Sequence, residues 1–262
     1  MRFTILGCGS SGGVPRIGGA WGACDPAEPK NRRRRSSFLI EKMEGGAQTT
    51  VLIDSSPDLR EQLLMAGVGV LDGVVYSHGH ADHTHGIDDL RAVYFLSKKR
   101  IPVFYDQATG VQLLEKFRYC FEQPDDSNYV PILDGRVIKP LQRFSIEGAG
   151  GVVELLPLPQ WHGNGQSLGF RIGGLVYATD VHAFPDEALA VMEGAEVLVL
   201  DALRYTPHPC HFSVSQALEI IQRLAPSRAI LTHLHVDLDY QTLKAELPAG
   251  VEPAYDGLVI EL

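Results

Sequence analysis

The stretch Ser77-His78-Gly79-His80-Ala81-Asp82-His83, entered from the apolar run Gly73-Val74-Val75-Tyr76, decides the reading of this chain. The apolar run has the composition of a short buried strand. Three imidazoles and a carboxylate follow it on one tight loop. Imidazole nitrogen and carboxylate oxygen suit Zn²⁺, Mn²⁺ and Fe ions, and a glycine between two histidines lets their side chains converge. A solvated, His-rich turn is the plain alternative. It leaves unexplained why Asp82 and His83 fall where a second ion needs donors.

Further donors occupy the same local context. His162 closes the segment from Val152 to Trp161, Asp180 closes Leu175-Val176-Tyr177-Ala178-Thr179, and His233 closes Arg228-Ala229-Ile230-Leu231-Thr232. Each ends an apolar run that reads as a buried strand. In layered α/β folds the carboxyl ends of strands are where binding groups gather, so these ends can point donors into one cleft. A single histidine of this kind is more often a satisfied core or surface residue; the joint pattern argues for ligands.

The series His78-x-His80-x-Asp82-His83, then His162, Asp180 and His233 in that order, resembles the metallo-β-lactamase superfamily of dinuclear metallohydrolases. Within it the chain is most similar to the phosphodiesterase branch, which includes the cyclic phosphoribosyl phosphodiesterase of the carbon-phosphorus lyase pathway and the tRNA 3′-end endonuclease. The likeness runs from Phe3-Thr4-Ile5-Leu6-Gly7-Cys8-Gly9-Ser10-Ser11-Gly12-Gly13 to Asp256-Gly257. It implies an α/β fold, the αββα four-layer sandwich, with a metal site along one edge between the sheets. It implies that His78, His80 and His162 hold one divalent ion and that Asp82, His83 and His233 hold a second, with Asp180 bridging them. Zinc or manganese fits these donors, and iron is possible.

Two such ions roughly 3.5 to 4 Å apart can share a water, lower its pKa and hold the oxygens of an in-line displacement. Two divalent ions, two aspartates and a hydroxide leave the centre about one unit positive, so an anionic phosphodiester is attracted locally. His211, in Pro209-Cys210-His211-Phe212-Ser213, stands between Asp180 and His233 in the chain. By resemblance it protonates the leaving alkoxide, helped by Asp82. The alternative is a histidine with only local hydrogen bonds near a helix start. His85, His182, His208 and His235 carry no comparable signal.

Composition fits one compact enzyme domain over residues 1–262. The formal charge of -9 and pI near 5.5 argue against a surface that coats nucleic acid. The four cysteines, Cys8, Cys24, Cys120 and Cys210, form no CxxC pair, which points to free thiols in a reducing compartment. No apolar stretch approaches the ~20 residues of a membrane span, and the N-terminus has no signal-like pattern. A cytoplasmic protein acting on a small nucleotide or sugar phosphodiester, cyclic by preference, is the expectation, with neither a membrane nor a long nucleic acid as partner; a homodimer stays possible.

Strands are expected at Arg2 to Leu6, Ser37 to Glu41, Thr50 to Ile53, Gly73 to Tyr76 and Pro102 to Tyr105, and near Val152, Phe170, Val176, Val197 and Ile230. Helices are expected at Pro57 to Met65, Gly86 to Leu96, Ala108 to Phe117, Pro185 to Met192 and Val214 to Leu224. Gly7 to Arg35 is too long for an ordinary connection and is read as part of a substrate site. Its run Arg32-Arg33-Arg34-Arg35 could lend a guanidinium to a substrate phosphate, or form a solvated basic face. Tyr119 to Val130 reads as a surface loop, with a lid as the alternative.

The carbon-phosphorus lyase enzyme also carries a structural zinc held by N-terminal cysteines and a His after the last catalytic one. Here only Cys24 and His235 stand at those places, too few for a closed four-ligand site. No structural zinc is expected.

Other readings within the superfamily meet obstacles. A thioester hydrolase of the glyoxalase type resembles proteins with a C-terminal helical region, and fewer than thirty residues follow His233. A zinc β-lactamase usually lacks an acid at the Asp180 position, and a flavo-diiron protein would show an acid where His80 stands. The tRNA endonuclease grips RNA through a basic arm, and no insertion of that kind is visible. A non-enzymatic metal-binding scaffold is disfavoured by the full donor series together with His211.

Overall fold

The computed structural model describes every residue except 124 and 126. The first half runs β1 (Arg2–Gly7), β2 (Ser37–Glu44), β3 (Ala47–Ile53), α1 (Leu59–Ala66), β4 (Gly73–Val75), α2 (Ala81–Thr84), α3 (Leu90–Ser97), β5 (Ile101–Tyr105), α4 (Gln107–Phe121) and β6 (Leu133–Val137). The second half runs β7 (Phe144–Gly148), β8 (Gly151–His162), β9 (Gly165–Ile172), β10 (Leu175–Ala178), α5 (Asp186–Met192), β11 (Val197–Asp201), α6 (Val214–Leu224), β12 (Arg228–Thr232), α7 (Tyr240–Glu246), β13 (Val251–Pro253) and β14 (Leu258–Glu261).

These strands form two seven-stranded sheets, ordered β14-β1-β2-β3-β4-β5-β6 and β13-β12-β11-β10-β9-β8-β7. Their inner faces share one apolar layer, in which Phe38 of the first sheet stacks on Tyr177 of the second with ring centroids 4.5 Å apart. Such a pair contributes about 0.5–1.5 kcal/mol beyond its buried area. The outer faces are covered by helices: residues of α1, α3 and α4 pack on the first sheet, and residues of α5, α6 and α7 on the second. This is the αββα sandwich, and it follows from strands that are apolar on both faces.

The strand directions make the site. Strands β3, β4 and β5 are parallel, as are β10, β11 and β12, and β8 runs with β10 because both lie antiparallel to β9. Chain segments leaving β3, β4, β8, β10, β11 and β12 therefore emerge at carboxyl ends, where donors can meet.

Several expectations need correction. The segment Gly86 to Leu96 is not one helix: a 3₁₀ turn, Ile87–Asp89, precedes α3. Gly86 explains the break, since its amide bonds to the Ser55 carbonyl and a Cβ there would lie 2.0 Å from the Ser56 oxygen. Helix α1 begins at Leu59, two residues later than expected, with Asp58 as its N-cap residue and the Asp58 carboxylate bound to Arg35. Helix α4 extends past Phe117 to Phe121, capped by Asp106 on the Thr109 amide. Tyr119 to Phe121 of the supposed loop are thus helical; its centre, Pro124 to Asp126, includes the two positions outside the described residues.

Three arginines of the run are committed within the protein. Arg33 is only 2% exposed and donates to the carbonyls of His235 and Leu238 and to Asn31 Oδ1. Arg34 pairs with Asp256 and Arg35 with Asp58, while Arg32 lies over the Trp21 ring. Arg33, Arg34 and Arg35 are thus engaged within the protein, while Arg32 is exposed. Arg33 pins the Gly7 to Arg35 excursion against the loop after His233, where the Ser10 amide also donates to the Leu234 carbonyl and the Leu234 amide to the Cys8 carbonyl. Among the described residues, no helix is long and apolar enough to cross a membrane.

Candidate metal centre

The loop after β4 turns sharply into α2. Its Gly79 lies under α4, where a Cβ would meet Gln112 Oε1 at 2.0 Å and where Lys116 Nζ donates to the Gly79 carbonyl. That close approach lets His78 and His80 point the same way, with ring centroids 4.5 Å apart. His162, at the end of β8, joins them: its Nε2 lies 3.2 Å from His80 Nδ1. His83 sits one helical turn on, buried, facing His233 after β12 with ring centroids 6.1 Å apart.

Asp180 stands between the two sets. Its Oδ2 lies 3.7 Å from Nε2 of both His78 and His162, and its Oδ1 lies 3.0 Å from His83 Nε2 and 3.2 Å from His233 Nδ1. Asp82 Oδ2 approaches His83 Nε2 at 3.4 Å. Two groups, His78/His80/His162/Asp180 and Asp82/His83/Asp180/His233, each converge closely enough to hold an ion. All seven sequence-derived donors are brought together. Exposed His80 marks the open side of the cleft.

Protonation chemistry tests whether a cation fits. His83 Nδ1 lies 2.7 Å from Asp54 Oδ2, so that nitrogen carries the hydrogen and donates. In neutral His83 the Nε2 lone pair then faces the Asp180 and Asp82 oxygens. Buried Nε2 atoms of His78 and His83 have no hydrogen-bond partner. Burial favours neutral His83, but Asp180, Asp82 and Asp54 outweigh it and raise its pKa well above the ordinary value. The pocket thus demands positive charge among its carboxylates, and a divalent cation meets that demand with better geometry than a proton. Burial lowers the pKa of His78, His80 and His233, keeping them as neutral imidazoles, the ligating form. For Asp180 burial opposes ionisation, yet His233 and His83 hold the carboxyl well below its usual range.

Supporting contacts fix the orientations. Asp54 accepts from His83, from the Ser77 amide at 2.8 Å and from Ser77 Oγ at 2.7 Å. Cys210 O lies 2.9 Å from His162 Nδ1, and Ser36 Oγ 3.0 Å from His233 Nδ1. Asp54, Asp180 and His233 all adopt left-handed backbone, φ 63°, 53° and 61°, within two residues of a strand end. Non-glycine residues there are strained, and such strain gathers at functional sites. Asp54 was not singled out from the sequence, although it follows the run Thr50-Val51-Leu52-Ile53 as the other donors follow theirs. Asp54→Asn, which tolerates the same backbone, is expected to weaken metal affinity ~10- to 100-fold in a chelator competition titration. Unaltered affinity would remove its orienting role.

His211 lies against both donor sets, its ring 4.7 Å from those of His162 and His233. Its Nδ1 is 2.7 Å from Asp201 Oδ2, and that same oxygen accepts from the Val181 amide. Burial pulls the His211 pKa down, but the Asp201 carboxylate outweighs it and raises the value to about 9. Asp201, at the end of β11, is a second residue not singled out from the sequence. Ser213, two residues after His211, caps α6 in a reciprocal box with Gln216, which fixes where the histidine's loop ends.

An αββα sandwich with paired His/Asp donor sets at its strand ends defines the class: a hydrolase of the metallo-β-lactamase fold, with a centre compatible with divalent metal. A family model described as the beta-lactamase superfamily domain matches residues 49–234, and the chain belongs to that superfamily. The structure is similar to that of a new diphosphatase from the PhnP family, at TM-score 0.87 and 32% identity, covering 100% of this chain and 97% of that one. An octanoyltransferase from Porphyromonas gingivalis is 33% identical over 98% of this chain, which spans 51% of that protein's length. The coenzyme PQQ synthesis protein B of Methylococcus capsulatus is 27% identical, with both chains fully covered.

Proposed function

We propose that the chain hydrolyses a small phosphodiester, a nucleotide or sugar ester in open or cyclic form. Two divalent ions are the proposed cofactors, one at His78, His80 and His162, the other at Asp82, His83 and His233, with Asp180 shared. When bound there, such ions supply a nucleophilic water near neutral pH and offset phosphate charge. The observation that carries this reading is the Asp201–His211 pair set directly against both donor groups. A simple Lewis-acid site needs no such acid. A departing alkoxide does.

Hydrolysis joins a water oxygen to phosphorus and breaks the bond to the leaving oxygen, which departs as an alkoxide unless it is protonated. In protonated His211 the Nδ1 hydrogen is donated to Asp201, which leaves the proton on the other nitrogen free for the leaving oxygen; giving it up returns His211 to the neutral form. Transfer of that proton gives the alcohol, and Asp201 stabilises the imidazolium beforehand. In this reading Asp82, half-buried beside His83, helps orient that proton transfer. The similarity to a PhnP-family diphosphatase supports phosphoryl chemistry for this site.

The test is metal analysis combined with hydrolysis of bis(p-nitrophenyl) phosphate. The expected result is two equivalents of zinc or manganese and turnover that stops on chelation and returns with added metal. Protein holding two ions but inert on this diester and on cyclic nucleotides would overturn the reading.

A further inference from the structure

His208 stands three residues before His211, on the loop that leaves β11, and nothing in the mechanism above uses it. Its ring lies 5.2 Å from that of His211, on the rim of the cleft and half-exposed. A histidine on an exposed loop is ordinarily free to rotate. This one is oriented: the Cys210 amide donates to His208 Nδ1 at 3.2 Å. A backbone N–H can only donate, so Nδ1 must accept and neutral His208 carries its hydrogen on Nε2. The loop is itself braced, since Arg204 donates through Nε to the Thr206 carbonyl at 3.2 Å and through Nη2 to the Pro207 carbonyl at 3.1 Å. Two imidazoles with fixed tautomers therefore stand side by side, one against the donor sets and one a step further out.

We propose that His208 binds substrate, donating its Nε2–H to an oxygen of the leaving group two or three bonds from the oxygen that His211 protonates. This rests on the phosphodiesterase reading and narrows it. The preferred leaving group carries an oxygen acceptor close to its departing atom, either a vicinal ribose oxygen or a phosphoryl oxygen. An aryl or simple alkyl leaving group offers no such acceptor and gains nothing from His208.

The experiment compares His208→Ala and His208→Gln with the parent protein on a nucleoside 2′,3′-cyclic monophosphate, a nucleoside diphosphate and bis(p-nitrophenyl) phosphate. Bound metal is measured for each protein. With metal content unchanged, His208→Ala is expected to lose kcat/KM roughly 10- to 100-fold on one of the two acceptor-bearing substrates, in excess of its loss on the aryl diester. His208→Gln, whose amide nitrogen reaches a similar point, is expected to recover part of that loss. The substrate showing the excess identifies the acceptor as ribose or phosphoryl oxygen. Equal losses on all three substrates, or loss of metal, would make His208 a structural residue and overturn the inference alone. Parent protein loaded with two ions yet inactive on every substrate overturns the phosphodiesterase reading and this inference with it.

Discussion

Asp180→Asn is expected to lower the proposed turnover on phosphodiesters on the order of 10³-fold or more and to leave at most one tightly held ion per chain. The argument is one of charge and reach. Asp180 Oδ2 faces His78 and His162 at 3.7 Å, while Oδ1 faces His83 and His233 at 3.0 and 3.2 Å, so each oxygen serves a different set. An asparagine keeps one oxygen and turns an NH₂ toward the other set, placing hydrogens where a cation belongs. It also removes one negative charge from a buried site. The surrounding frame is expected to persist, because the Asp180 carbonyl keeps its bond from Ser167 Oγ and the amide fits the same left-handed backbone. Metal content by elemental analysis and the thermal unfolding midpoint of the metal-free protein check both halves. A variant that keeps two tightly held ions and substantial activity would show that Asp180 is not shared between them.

The convergence of these seven residues is legible because each lies at or beyond the end of an apolar strand run, and a parallel arrangement sends the carboxyl ends of such strands to one edge. Asp54 and Asp201 follow runs of the same kind. They were passed over because position after a strand does not separate a residue that faces the cleft from one that holds its neighbour; only the 2.7 Å contacts to His83 and His211 do. The Cys210 carbonyl on His162 has no sequence signal, since any residue supplies it. Nor does the left-handed backbone at Asp180 and His233, where glycine is the usual marker. The arginine run reads equally as a phosphate site or a solvated basic face, whereas burial of Arg33 among carbonyls is a property of the folded chain. Edge elements such as β6 and β7 were missed because their mixed burial gives no continuous apolar run.

His211→Ala is expected to lower kcat on phosphodiesters with alkoxide leaving groups ~10²- to 10⁴-fold, the range for a positioned general acid, while retaining the metals. The loss should shrink on bis(p-nitrophenyl) phosphate, whose phenolate departs without a proton. That contrast separates an acid from a residue that merely props up His162 and His233, whose removal would depress both substrates alike. The pH dependence carries the same signature. Asp201 raises the His211 pKa to about 9 against the effect of burial, so the acid is protonated below that value. Activity on alkoxide substrates is therefore retained at lower pH and lost as pH rises through the His211 pKa. Bound divalent ions would lower that pKa in parent and variant alike, so the difference between them is the useful measurement. Asp201→Asn removes the charge that holds the proton, and the alkaline fall is expected to move down by roughly 1–3 pH units. The limb should shift for the alkoxide substrate and stay in place for the aryl diester. Coincident profiles for parent and Asp201→Asn would detach the Asp201–His211 pair from proton transfer.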